Sequence, residues 1–362
     1  MRHARFALIV VALFAAAALP ANAATRTHYI AADEVVWNYA PSGMDMLTGK
    51  PLPPLLPGQM GWAYHKAVYR EYTDGTFAHV MARPPSEAYL GIWGPIIHAE
   101  VGDTIVVYFK NNTRFALSVH PHGVFYGKSS EGAPYADGVP AGDKAGNSIA
   151  PGHTYRYTWQ VPERAGPGPM DPSSVMWMYH SHEDEVHDVN TGPIGAIVVT
   201  RRGMANPDGT PKDVDREVFA LFSEQDEGSS RYFAANLADP KINPHHVKSQ
   251  GPLAIQNEYA LQNEMYSING FVFGNMPVPT MHVGERVRWY VMATMSDFDF
   301  HTPHWHGNTL LVNGMRTDIV QLFPMQMVVG DMVPDDAGTW LFHCHVNLHL
   351  EAGMEARYQV LK

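Results

Sequence analysis

Phe342-His343-Cys344-His345-Val346-Asn347-Leu348-His349-Leu350-Glu351-Ala352-Gly353-Met354, near the C-terminus, holds the chain's one cysteine, three histidines and a methionine. In an extended strand successive side chains alternate between faces, so His343 and His345 project to one side and Cys344 to the other. With His349 and Met354 folded back toward the sulfur, Cys344 joins a soft donor set. Such a set suits copper of the blue electron-transfer kind, with the methionine as weak axial ligand. The two outward histidines are placed to hold a different metal. The stretch reads as a wire between two metal sites.

Earlier in the chain the same pattern occurs without the sulfur, as Tyr179-His180-Ser181-His182. Other stretches repeat in the same order. His120-Pro121-His122-Gly123 answers His304-Trp305-His306-Gly307, and Val101-Gly102-Asp103 answers Val283-Gly284-Glu285. Unequal spacings between the copies point to one duplicated domain with loops of different length. Period-2 runs such as Thr104-Ile105-Val106-Val107-Tyr108-Phe109, Thr154-Tyr155-Arg156-Tyr157-Thr158-Trp159 and Ala196-Ile197-Val198-Val199 read as strands. No long 3.6-period helix competes. Polar, turn-rich residues 203–213 (Gly203, Pro207, Gly209, Pro211) read as a linker. The expected plan is all-β, with β-sandwich domains over 24–202 and 214–362.

Residues 1–23 have the form of a secretory signal. Arg2, His3 and Arg5 precede an apolar run from Phe6 to Leu19, and Ala21-Asn22-Ala23 gives a small-x-small cleavage pattern. No later segment is apolar enough for a membrane span, so a periplasmic or secreted protein is expected. About 340 residues then remain, enough for two cores. A lone cysteine excludes a disulfide framework, and in an oxidising compartment a metal is its expected occupant. The net charge of −11 argues against nucleic acid and anionic membrane surfaces. With Gly 31 and Pro 28, the chain is rich in turns.

Ten of the twenty histidines fall in four clusters: His120 and His122; His180 and His182; His301, His304 and His306; His343, His345 and His349. His245, His246 and the others read as surface or core residues. The motifs H-x-H-G, H-x-H, H-x-x-H-x-H and H-C-H-x-x-x-H-x-x-x-x-M, in that order, resemble the multicopper oxidases, and the ceruloplasmin-like branch in particular. Leu90-Gly91-Ile92-Trp93-Gly94-Pro95-Ile96-Ile97, Glu131-Gly132-Ala133-Pro134-Tyr135 and Met265-Tyr266-Ser267-Ile268-Asn269-Gly270 extend the resemblance over nearly the whole chain. Its length is that of the two-domain, small laccase-like members. The resemblance implies two tandem cupredoxin-like β-sandwich (Greek-key) domains and four copper ions per active unit. The type 1 copper would take His301, Cys344, His349 and Met354. The type 2 copper would take His120 and His304, and the two type 3 coppers His122, His180, His182, His306, His343 and His345. Asp137 matches the family's acid beside the trinuclear cluster, a proton donor to oxygen.

The full histidine set implies four-electron reduction of O2 to water, which copper nitrite reductases and simple blue-copper shuttles are not equipped for. Aligned without gaps, the first domain has Ser181, Val186, Thr191 and Leu117 where the second has Cys344, His349, Met354 and His301. It therefore lacks a blue site, and His187 misses the ligand position by one residue, the other face of a strand. Each domain offers four cluster histidines, which in two-domain relatives meet between neighbouring chains of a homotrimer, a closed head-to-tail ring. The reductant is expected to be a small molecule arriving at His349 where that residue reaches the surface. Leu348 and Leu350 flank it where ferroxidases carry an acid, which favours laccase-like oxidation of phenols or aromatic amines. The alternative is metal-ion oxidation, with Glu351, Asp297 and Asp299 as candidate iron ligands.

Overall fold

The computed structural model describes residues 23–55, 58–246, 263–294 and 300–362. The signal expected over 1–23 lies, but for Ala23, outside the described residues, as do Asp297 and Asp299. The N-terminal half begins with the long strand β1 (Thr25–Asn38), a small hairpin of β2 (Met44–Asp45) and β3 (Lys50–Pro51), and β4 (Ala63–Glu71). It continues through β5 (Ile96–Glu100), β6 (Thr104–Asn111), β7 (His120–Pro121), β8 (Phe125–Tyr126) and β9 (Thr154–Gln160). Strand β10 (Ser174–His180), helix α1 (Glu185–Thr191) and strand β11 (Ile194–Thr200) complete it. These strands form two sheets, in the orders β4-β1-β6-β9-β8 and β5-β11-β10-β7.

In the C-terminal half β12 (Arg216–Asp226), α2 (Phe233–Ala238), β13 (Glu264–Ile268), β14 (Thr280–His282) and β15 (Val287–Thr294) come first. Then follow β16 (Pro303–Trp305), β17 (Leu310–Val312), β18 (Met315–Thr317), β19 (Met327–Met332), β20 (Gly338–Cys344), α3 (Asn347–Glu351) and β21 (Glu355–Leu361). Their sheets run β13-β12-β15-β19-β17-β18 and β14-β21-β20-β16. Each half thus packs two mainly antiparallel sheets face to face, the all-β sandwich arrangement. Among the described residues no helix is long and apolar enough to cross a membrane.

The duplication is physical as well as textual. Strand β1 pairs parallel with β6, and β12 pairs parallel with β15 in the same way. Before β6, Asp103 accepts the backbone N–H of Glu100 and the Arg26 guanidinium; before β15, Glu285 accepts the N–H of His282 and the guanidinium of Arg216. Both acids cap a turn and fasten the first strand of their half to it, which is why V-G-D and V-G-E recur.

A continuous apolar core joins the halves, with Leu90, Ile92, Trp93 and Met178 packed among Phe219, Leu221, Ile268 and Trp289. At this seam the Trp93 indole N–H donates to Asn269 Oδ1 (2.8 Å), and Trp37 donates to the Gly270 carbonyl (2.6 Å). Asn269 takes the left-handed conformation (φ 54°), and its amide donates to the carbonyls of Tyr89 and Phe219. The stretches 90–97 and 265–270 therefore form the junction between halves.

Candidate metal centres

Strand β20 ends at Cys344, and β16 lies antiparallel to it with Pro303 opposite Cys344 and His304 opposite His343. The short helix α3 turns the chain back, so His349 reaches the sulfur: its Nδ1 is 3.5 Å from Cys344 Sγ and 3.1 Å from His301 Nδ1. His301 Nδ1 is 3.9 Å from the same sulfur. Met354 is tied to both neighbours through the backbone, accepting from the Cys344 N–H and donating to the His349 carbonyl. All four residues are fully buried.

A metal with two imidazole nitrogens at about 2.0–2.1 Å and a thiolate near 2.3 Å sets those nitrogens about 3.3 Å apart, and each about 3.8 Å from the sulfur. The observed separations fit that triangle. Burial, aided by the neighbouring His349 ring, pushes the His301 pKa down to about 3, so its imidazole is neutral and its lone pair available to a metal. The Thr302 N–H points at Cys344 Sγ (3.3 Å), where it stabilises a thiolate.

The other histidines gather in two sets, one on each half. In the first, His122 Nε2 faces His180 Nε2 at 3.1 Å, and His120 and His182 complete it with ring centroids 5.0 Å apart. His120 donates through Nδ1 to the Glu131 carbonyl (2.6 Å), and His180 through Nδ1 to the Ser181 carbonyl, which leaves Nε2 of each for a ligand bond. In the second set His343 Nε2 lies 3.1 Å from His306 Nε2 and 3.2 Å from His304 Nδ1, with the exposed His345 beside them. His343 donates through Nδ1 to the carbonyl of Cys344 (2.7 Å), joining the two centres by a hydrogen bond as well as by the chain. Burial first, then the adjoining imidazoles, lowers the pKa of His122 and of His343 to about 4. Among the described residues no hydrogen bond or ring contact joins one histidine set to the other.

The H-x-H-G glycines have a structural reason. Gly123 and Gly307 sit at φ +73° and +74°, and a Cβ on them would meet Trp177 at 2.1 Å and Trp340 at 2.5 Å. Each tryptophan lies three residues before a cluster histidine, His180 or His343, and packs under the turn that carries the other pair.

Several expectations need correction. His349 does not reach the surface; it is 0% exposed, and the Tyr266 ring covers it. Leu348 points outward, 59% exposed. Adjacent residues on a helix face directions about 100° apart, so a neighbour in sequence says little about what lies over His349. His187 sits on helix α1, not on a strand, and pairs with Asp184. Asp137 is clamped by Lys144 and Lys128 and accepts the Val139 N–H, and these contacts, Lys144 foremost, hold its carboxyl far below the usual range.

Sequence reasoning missed the residues over His349. On strand β12, Phe222, Glu224 and Asp226 share one face, and across the ladder Ile268, Tyr266 and Glu264 stand opposite them. The Phe222 ring meets His301 and the Tyr266 ring meets His349 (4.8 Å), while the Tyr266 hydroxyl donates to Glu264 (2.7 Å). A row of three carboxylates thus leads away from the buried centre. Glu224 and Asp226 are half-buried while Ser223 and Gln225 between them are buried, so the acids lie on the more open side of the strand end.

Two models described as multicopper oxidase match residues 90–203 and 246–362. "Ferroxidase HEPHL1" of Mus musculus is 40% identical over 349 residues, 94% of this chain and 29% of that protein. "Ceruloplasmin" of Mus musculus is 37% identical over 345 residues, 92% of this chain and 32% of that protein. The chain spans about three tenths of the length of these relatives. A solved structure described as "Crystal structure of multicopper oxidase" superposes with a TM-score of 0.57 at 20% identity, covering 93% of this chain and 89% of that one, a likeness of fold.

Proposed function

The chain belongs to the multicopper oxidase family, and on that premise we propose that it is a metal-ion oxidase, with ferrous iron as the donor and O2 as the acceptor. One observation carries the reading: Glu224 and Glu264 lie against Tyr266, whose ring lies on His349, and Asp226 follows on the same face. Asp226 and Glu264 are direct cross-strand partners, with Asp226 also accepting the Gly228 N–H and Glu264 the Tyr266 hydroxyl. Carboxylate oxygens are the ligands a hard divalent cation takes. Phenol oxidation rests on Leu348 and Leu350 as neighbours of a surface His349, and His349 is buried, so the acidic row carries more weight.

In this reading His301, Cys344, His349 and Met354 hold the type 1 copper. His120, His122, His180 and His182 of one chain, with His304, His306, His343 and His345 of a neighbour, hold the type 2 ion and the type 3 pair. Bound there, copper would supply one-electron redox chemistry at the first site and the four-electron reduction of O2 at the histidine sets. The protein's part is positional. Glu224 and Glu264 bind the reductant ion, and burial together with these two acids keeps the Tyr266 hydroxyl protonated. The Tyr266 ring bridges to His349, and His343 abuts Cys344 by sequence and by hydrogen bond. Each half presents four histidines, so a closed ring of chains, a homotrimer, would complete the sets. Export through the 1–23 leader would place the enzyme in the periplasm or outside the cell.

The test compares turnover with ferrous ion, cuprous ion and a dimethoxyphenol under O2. A specificity constant for iron well above that for the phenol is expected, and the reverse order would restore the laccase reading.

A further inference from the structure

The first half has no blue site, yet the structure rebuilds that place with other chemistry. Backbone contacts make the equivalence secure. Leu117 and Ile149 exchange two hydrogen bonds, as His301 and Leu322 do. The Ser118 N–H donates to Ser181 Oγ at 3.1 Å, as the Thr302 N–H does to Cys344 Sγ at 3.3 Å. Ser181 Oγ therefore occupies the position of the sulfur.

In place of a metal it meets a carboxylate. The Ser181 hydroxyl donates to Asp188 Oδ2 (2.6 Å), and Asp188 Oδ1 takes Arg231 Nε (2.8 Å). The other arm of the Arg231 guanidinium reaches Glu183 (2.6 Å). Ser181 and Asp188 are fully buried. Thr191, counterpart of Met354, accepts the backbone N–H of Arg231 through its hydroxyl, and Asn190 Oδ1 accepts the backbone N–H of Asp226. Arg231 follows β12, so a cation carried by the second half neutralises the carboxylate that faces Ser181 in the first.

The lock is in contact with the histidine set. Ser181 lies between His180 and His182, and its carbonyl accepts His180 Nδ1. The Ser118 hydroxyl receives the His182 N–H and donates to the Gly132 carbonyl, in the loop whose Glu131 carbonyl orients His120. We propose that Ser181, Asp188 and Arg231 replace a copper ion as the clamp of the β10–α1 corner and act as positioning residues for His120, His180 and His182. This rests on the reading that these histidines are copper ligands.

The experiment loads the full-length chain and its Asp188→Asn, Arg231→Met and Arg231→Lys variants with copper. It measures copper per chain during titration with a chelator, alongside the blue colour that Cys344 gives. Removing an orienting partner of a metal ligand weakens metal retention about 10–100-fold. That loss is expected for copper at the histidine sets in Asp188→Asn and Arg231→Met, with blue colour per chain unchanged and partial recovery in Arg231→Lys. Should Asp188→Asn fail to fold, Ser181→Ala removes one hydroxyl, spares the ion pair and carries the same expectation. Variants that unfold at lower temperature but hold copper as tightly as the parent would make the lock a brace only and overturn the proposal. A parent chain that binds copper at Cys344 alone would instead overturn the ligand assignment beneath it, so the two failures are separable.

Discussion

Tyr266 lies over His349 with ring centroids 4.8 Å apart and planes 35° from each other, and its hydroxyl is held by Glu264. The one route from the acidic row to the buried imidazole that these contacts define passes through that ring. Glu264→Gln and Glu224→Gln should each raise KM for ferrous ion about tenfold, the equivalent of about 1.4 kcal/mol, with much smaller effects on a neutral phenol. Tyr266→Leu should lower kcat with iron more than it alters KM. Steady-state kinetics with both donors reads this, and equal losses for iron and phenol would remove the acids from substrate binding.

Cys344→Ser should abolish blue colour and turnover while the apo chain stays folded. The first half shows why the fold tolerates it: Ser181 occupies the equivalent buried place and takes the same backbone N–H donor. A loss of about 1 kcal/mol is expected, that of one imperfectly paired hydroxyl in a buried site. Thermal unfolding of the apo variant and its visible spectrum check both halves of the statement. Turnover that survives would break the electron path from Cys344 through His343.

How much of this was legible beforehand depended on whether function is written in local spacing. The four histidine motifs, the Cys344 donor set and the duplication are short-range patterns, and the structure brings those residues together. What lies over His349 comes from a strand about eighty residues earlier, and only the β12–β13 register places Tyr266 and Glu264 beside Glu224. Leu348 misled because adjacency along a helix is not adjacency in space. His187 was read with strand geometry on a segment that is helical. Asp188 and Arg231 were invisible for another reason: a salt bridge between residues 43 apart leaves no periodic trace.

Gly307→Ala and Gly123→Ala should each destabilise the fold by about 3 kcal/mol. An alanine at positive φ costs about 1–2 kcal/mol, and crowding Trp340 or Trp177 adds about as much again. The damage is local to the turns carrying His306 and His122, so copper at the histidine sets should fall before blue colour does. Denaturant unfolding and copper content measure this. Full stability in Gly307→Ala would mean that Trp340 yields freely.

His98 on β5 and Glu217 on β12 form an ion pair across the seam, with Nε2 2.9 Å from Oε2 and both side chains mostly buried. Burial alone would lower the His98 pKa, but the Glu217 carboxylate, assisted by Asp208 and Glu87, outweighs it and raises the value above 6.5. The folded state therefore binds this proton more tightly than the unfolded chain does. The resulting stability, about 1 kcal/mol for a partly screened pair, is fully present below the unfolded value and is lost as pH rises through the folded one. Thermal unfolding of the parent and of His98→Gln across pH should show the largest gap below pH 6.5. Above the folded pKa the two curves should converge, and a gap that widens with pH would mean that His98 is buried neutral at the seam.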